Sequence, residues 1–274
     1  VLPPSISMGS NIAIKSDSAL RTLFQNCSLD ADCKNAFPNL SDDFGALSVY
    51  LKENNIELRL RHPITNELTT KSVSYPDLAL IIRLSLYSPE MSSLLPLTIH
   101  SAFNENDYTS IAVSALAFEE ALLDAMSYGM HNAVMCTEDL PFFDPSEISS
   151  NQGEETYLGD DFLSSMRSIC SAWPAGKIDN DFKLPILSNI PTLILSGEND
   201  PITPPAYGNL LLNGLSNSIH LVGPHQGHGI MHRGCFTKIF SDFLSTTNVS
   251  ELASTCIKHL PRVPFFINSL GPAP

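Results

Sequence analysis

Two short motifs concentrate the residues able to do acid–base chemistry: GENDPITPP over Gly197–Pro205 and PHQGHGI over Pro224–Ile230. The first supplies Asp200 and the second His228. An imidazole that takes up and returns a proton must be held in one tautomer while its cationic form is stabilised. A buried carboxylate accepting from Nδ1 does both. Each motif begins where an apolar run has just ended, and in an open α/β sheet that carboxyl edge is where loops converge to build sites. Asp200 and His228 are therefore expected at the same edge. Singly, each has a plainer role: a loop Asp caps the turn that follows it, and a His beside two glycines tolerates a tight bend. In this order and spacing the pair favours catalysis.

The elements that must position them read as follows. Thr192 to Ser196 (TLILS) is a continuous apolar run between Pro191 and Gly197, the pattern of a strand buried on both faces. Ser218 to Val222 (SIHLV) is a second strand. Between them Pro204 to Leu212 fits a helix entered through two prolines, giving the strand, loop, helix, strand order that parallel neighbours require. Ala133, Val134 and Met135 read as a further strand ending at Cys136, and Asn151 to Glu155 (NQGEE) as a loop. From about Ser16 to Met126 the pattern is mainly helical, with starts marked at Ser16, Ser41 and Ser88 by acid or proline behind a capping residue. Ile56, Leu58 and Leu60 alternate with polar residues, Pro63 to Asn66 reads as a turn, and Leu68 to Val73 returns as strand, which is a small hairpin. Only Gly271 to Pro274 has the look of a frayed tail.

The chain has 274 residues, 43% of them hydrophobic and 16% charged, which excludes a disordered polymer and allows one large domain or two small ones. Fifteen basic residues against 29 acidic ones give a net charge of −14, so nucleic acid is a poor partner. No apolar stretch approaches the roughly 18 residues of a membrane span, the greasiest segments being broken by Arg83 and by Glu119 and Glu120. Val1 to Ser10 has neither the charge nor the apolar core of a signal peptide, nor an initiator Met, and the expectation is that something precedes it. Six cysteines without CxxC spacing fit an oxidising compartment better than a metal site, although six free thiols in a cytosolic protein is the alternative; six thiols permit 15 pairings.

The Asp200 and His228 motifs resemble those of the α/β-hydrolases, and specifically the tripeptidyl aminopeptidase-like branch of the proline iminopeptidase family of serine peptidases. VLPP (Val1–Pro4), NCSLDADC (Asn26–Cys33), AVMCTED (Ala133–Asp139), ICSAWP (Ile169–Pro174) and the late pair Cys235 and Cys256 resemble that family's segments in collinear order over nearly the whole chain. The resemblance implies an α/β fold: the C-terminal part of an α/β-hydrolase sheet with an inserted, mainly helical cap. It divides the chain into a strand-to-cap connection (1–15), a cap with a small hairpin (16–129) and a C-terminal part carrying acid and histidine (130–274). It also selects the disulfides Cys27 with Cys33, Cys136 with Cys170, and Cys235 with Cys256, and with them a secreted or periplasmic location. No cofactor is implied.

One departure matters as much. That family's nucleophile is a Ser on a GxSxG elbow, and no GxSxG occurs here; Ser10 and Ser196 lack the glycine bracket, and the oxyanion-hole segment has no counterpart either. The reading is the C-terminal region of a secreted serine exopeptidase acting near free N-termini of peptide substrates, partnered by an upstream nucleophile-bearing half and inactive without it. An esterase on the same fold and a non-catalytic binding domain derived from it are the alternatives. Glu138 and Asp139 are candidates to hold a substrate's α-ammonium, or else cap a helix or face solvent. His225 and His232 flank His228 without an obvious acid and read as surface or gating residues. Trp173 reads as a packing anchor, the stripe of Ile111, Leu116, Phe118 and Leu122 as cap core, and His62, His100, His131, His220 and His259 form no metal spacing.

Overall fold

The computed structural model describes residues 1–9, 11–143 and 156–273; Ser10, the NQGEE segment and Pro274 lie outside the described residues. The chain divides into two compact units, Leu20–Met126 with Val263–Pro274, and Val1–Ala19 with Ser127–Arg262.

The first unit is helical apart from one hairpin. Helices α1 (Ile12–Leu29, begun in the other unit), α2 (Ala31–Ala36) and α3 (Leu40–Glu53) lead to strands β1 (Ile56–Arg61) and β2 (Leu68–Val73), and then come α4 (Tyr75–Ser85), α5 (Pro89–Ser92), α6 (Leu95–Asn104) and α7 (Thr109–Ala125). Leu47, Leu51, Leu78, Ile81, Ile82, Ile99 and Ile111 form its buried interior, at the helical spacing that turns one stripe of each helix inward. The hairpin pairs Ile56 with Val73 and Arg61 with Leu68, in antiparallel register. Its turn is closed by the His62 ring, whose Nδ1 accepts from the N–H groups of Ile64 and Thr65. Ser88 is the N-cap of α5. Two other expected starts move: α3 is entered through Asn39 rather than Ser41, and Ser16 lies inside α1, buried and bonded to the Tyr157 hydroxyl. A tertiary partner has taken the hydroxyl that would have capped a helix. The tail is not frayed at Gly271, which is buried, has φ +129° and bonds back to Asn268.

In the second unit, α8 (Tyr128–Val134) runs on into a π-helical turn, Met135–Asp139, and a 3₁₀ turn, Leu140–Phe142. This corrects the expected strand at Ala133–Met135. A three-residue apolar run carries no period of its own, and Ala133 and Val134 are exposed while Met135 and Cys136 turn inward as one side of a helix. Next come α9 (Asp161–Ala172), β3 (Thr192–Gly197), α10 (Pro205–Leu212), β4 (Ser218–Gly223) and α11 (Phe236–Thr246). Strands β3 and β4 pair in parallel, Thr192 against Ser218 through Gly197 against Gly223. Leu221, Ile230, Phe236, Ile239 and Ile257 form a core on which Leu193, Leu195 and Ile219 pack. Strand β3 is less buried than its apolar run implies: Ile194 and Ser196 are buried, Leu193 and Leu195 only half so, because among the described residues it pairs with a single neighbour. The chain carries disulfides Cys27–Cys33, Cys136–Cys170 and Cys235–Cys256. No helix among the described residues is long and apolar enough to cross a membrane.

Candidate active site

Parallel pairing puts the ends of β3 and β4 side by side, Gly197 opposite Gly223, and the ladder continues past both strands: Glu198 N–H donates to Gly223 O and Asn199 N–H to Gln226 O, each at 2.9 Å. The loops touch so closely that a Cβ on Gly197 would lie 1.8 Å from Gly227 O and 2.5 Å from Gln226 O. Only glycine leaves room for that crossing.

Held this way, Asp200 and His228 meet. His228 Nδ1 lies 2.8 Å from Asp200 Oδ2. The carboxylate is 6% exposed and accepts from every side: Ile202 N–H at 3.0 Å and Thr203 N–H at 2.8 Å on Oδ1, Thr203 Oγ1 at 2.9 Å and the imidazole on Oδ2. Burial pushes its pKa up, but the hydrogen bonds from His228, Thr203 and Ile202 and the charge available on His228 outweigh burial and hold it below the ordinary value of 3.8. A buried, ionised acid with four donors is a fixed acceptor, and it holds the proton of a neutral His228 on Nδ1, leaving Nε2 as the basic nitrogen. The His228 side chain is 41% exposed, so the ring has a face open to a reactant. Thr203, absent from the sequence reading, follows Asp200 at the spacing of an Asx turn, which is the signal that would have found it.

The other candidates are placed as follows. Asp139, buried in the π-helical turn, pairs with Lys183 Nζ at 3.0 Å and accepts from Met8 N–H at 2.9 Å. Lys183 itself lies over the rings of Phe142 and Phe182. Glu138, half-buried beside it, has no hydrogen-bond or ion-pair partner among the described residues. His225 does have an acid: its N–H and Nδ1 lie 2.8 and 3.5 Å from Glu198 Oε2. His232 is exposed on a 3₁₀ turn, and Trp173 is half-buried at the C-terminus of α9. Ser196 is 2% exposed and bonds His220 Nε2 at 2.9 Å, while His220 Nδ1 meets Asn209 Oδ1 at 2.8 Å. Burial lowers the His220 pKa, and Ser196, His220 and Asn209 together tie β3 and β4 to α10. Among the described residues no group of His, Cys, Asp and Glu is arranged to hold a metal ion.

Parallel strands with a carboxylate and a histidine on the loops at their carboxyl ends are compatible with the arrangement that α/β-hydrolases use. Residues 155–256 match the family model described as TAP-like protein, which places this stretch in the TAP-like branch of the α/β-hydrolases. Asp200, His228, Cys170, Cys235 and Cys256 lie within the match, and Glu138 and Asp139 outside it. No curated protein matches the chain.

Proposed function

We propose that Asp200 and His228 are the acid and base of a secreted serine exopeptidase that removes short peptides or single residues from free N-termini, with the nucleophilic Ser carried by polypeptide upstream of these residues. The observation that carries the reading is the 2.8 Å contact between His228 Nδ1 and a buried, four-fold bonded Asp200. In the reaction, His228 Nε2 takes the proton of the serine hydroxyl as oxygen attacks the scissile carbonyl. Asp200 stabilises the imidazolium so formed. His228 then delivers the proton to the leaving amine, and repeats the cycle with water to release the acyl group. Three disulfides favour the secreted location. An upstream half is supported by exposed apolar surface beside the two parallel strands found among the described residues: Leu184, Ile186, Leu187 and Ile190, leading into β3, are 51 to 81% exposed.

Of the two carboxylates assigned to the substrate's α-ammonium, Asp139 already faces Lys183, which leaves Glu138 the stronger candidate. In enzyme containing the nucleophile, Glu138→Gln is expected to weaken turnover of free-amine peptides by about 1.5 to 3 kcal/mol in kcat/KM, the worth of a hydrogen bond to a charged group, and to leave N-acetylated substrates unchanged. Equal loss on both substrate types would remove Glu138 as the amine anchor, and a comparison of amide with ester substrates separates the esterase reading.

A further inference from the structure

The loop that carries His228 enters through an unfavourable turn. His225 has φ +61°, a left-handed backbone that few non-glycine residues occupy, and its N–H points at the Glu198 carboxylate 2.8 Å away. Glu198 sits two residues before Asp200, on the other loop. We propose that Glu198 is a positioning residue for His228, acting through the backbone of His225; this rests on the reading of Asp200 and His228 as acid and base.

The geometry gives Glu198 two attachments to one turn. Its N–H donates to Gly223 O, fixing where that turn starts, and its side chain reaches over to accept from His225 N–H, fixing which way it runs. Gln226, buried in the next position, receives Asn199 N–H on its carbonyl and donates Nε2 to Pro224 O. His228 follows two residues later, at the end of a chain whose direction has been set before it arrives. The Glu198 and His225 side chains are 51% and 44% exposed, and exposed ion pairs contribute little, so the useful contact is the carboxylate on the backbone N–H rather than the attraction between the rings and charges. Released from Glu198, His225 is free to relax toward extended backbone, which would carry His228 away from Asp200. The Glu198 carboxylate, occupied by the His225 N–H, acts on His228 through the backbone and not by direct contact.

The test uses the full chain, isotope-labelled in its histidines, and follows the proton on His228 Nδ1 by NMR. A proton shared with a buried carboxylate gives a separate downfield resonance that exchanges slowly with water. Glu198→Ala is expected to speed that exchange by about tenfold while the cooperative unfolding transition persists. Glu198→Gln, whose amide oxygen still accepts from His225 N–H, is expected to restore the parent rate. If Glu198→Ala does not fold, the double variant Glu198→Ala with His225→Gly decides, because glycine takes the left-handed turn unaided and should recover the slow resonance; a folded double variant without it overturns the proposal. Parent exchange retained in Glu198→Ala overturns the proposal and leaves the Asp200–His228 reading intact. Absence of the resonance from the parent chain, or its survival in Asp200→Asn, overturns that underlying reading instead.

Discussion

At the scale of the residue, Asp200 shows how burial and ionisation coexist. Isolated in its pocket, the carboxylate would be driven neutral, but two backbone N–H groups, a hydroxyl and an imidazole are aimed at it, and their sum keeps it charged. Because the native pKa lies below the unfolded one, the stabilisation is fully present above the unfolded value, near 4, and is lost as pH falls through the native pKa. Asp200→Asn keeps the shape and an acceptor for Ile202 and Thr203, yet turns an NH₂ toward Thr203 Oγ1 and His228. It is therefore expected to unfold about 1.5 to 3 kcal/mol more easily at pH 7, a gap that narrows as pH falls below about 4. Urea unfolding of both proteins at neutral and acid pH measures this; a gap independent of pH would mean Asp200 is not ionised in the native state. In enzyme that contains the nucleophile the same change should cut kcat by about 10⁴ with little effect on KM, since the acid acts only when the imidazolium forms.

At the scale of the element, the site depends on two strands ending together. Gly197→Ala places a methyl group where Gly227 O and Gln226 O already lie, and backbone cannot step aside as a side chain can. The expected cost is about 3 kcal/mol or more, with His228 drawn off Asp200. Gly129→Ala in α8, where an added Cβ meets nothing within 4 Å, is the control and should be neutral or slightly stabilising. If thermal melting ranks the two changes equally, the loop crossing is looser than the strand ends require. The same elements show what a sequence can disclose. Strands β3 and β4, the Pro-led α10 and the hairpin are legible because each carries its period and its punctuation locally: TLILS between Pro191 and Gly197, and alternation at Ile56, Leu58 and Leu60. Asp200 and His228 are legible for the same reason, since strand ends mark where loops converge. The π-helical turn at Met135–Asp139 is not, because three apolar residues fit either period and packing decides between them. Nor are the pairings of Asp139 with Lys183, 44 residues on, or of Glu198 with His225, 27 residues on, which exist only once the chain has folded back. The Ser16 hydroxyl has the sequence context of a cap because nothing local announces Tyr157, 141 residues away.

At the scale of the whole molecule, the proposed acid and base are in place while the proposed nucleophile is not among these residues. Asp200 is fully bonded and His228 is oriented, yet the 274 residues contain no GxSxG, and Ser196 is sealed beneath His220. On the proposed roles, a histidine and an acid without their serine can only activate water, and in a serine-protease triad removal of the serine alone costs about as much as removal of all three members. The purified chain is therefore expected to hydrolyse neither peptide nor ester substrates, whereas the same residues joined to a segment carrying the nucleophile elbow should do so in a manner abolished by His228→Ala. The exposed approach to β3, Leu184 through Ile190, should become protected from hydrogen exchange in the joined form, because burying apolar surface is what would hold the two parts together. Turnover by the chain alone that disappears in His228→Ala would place a working nucleophile within these residues, and the serines bonded least tightly near His228 would then be the ones to replace. Inactivity of the joined form, with the Asp200–His228 contact intact, would turn the reading toward a binding domain that keeps a hydrolase's acid and base without its reaction.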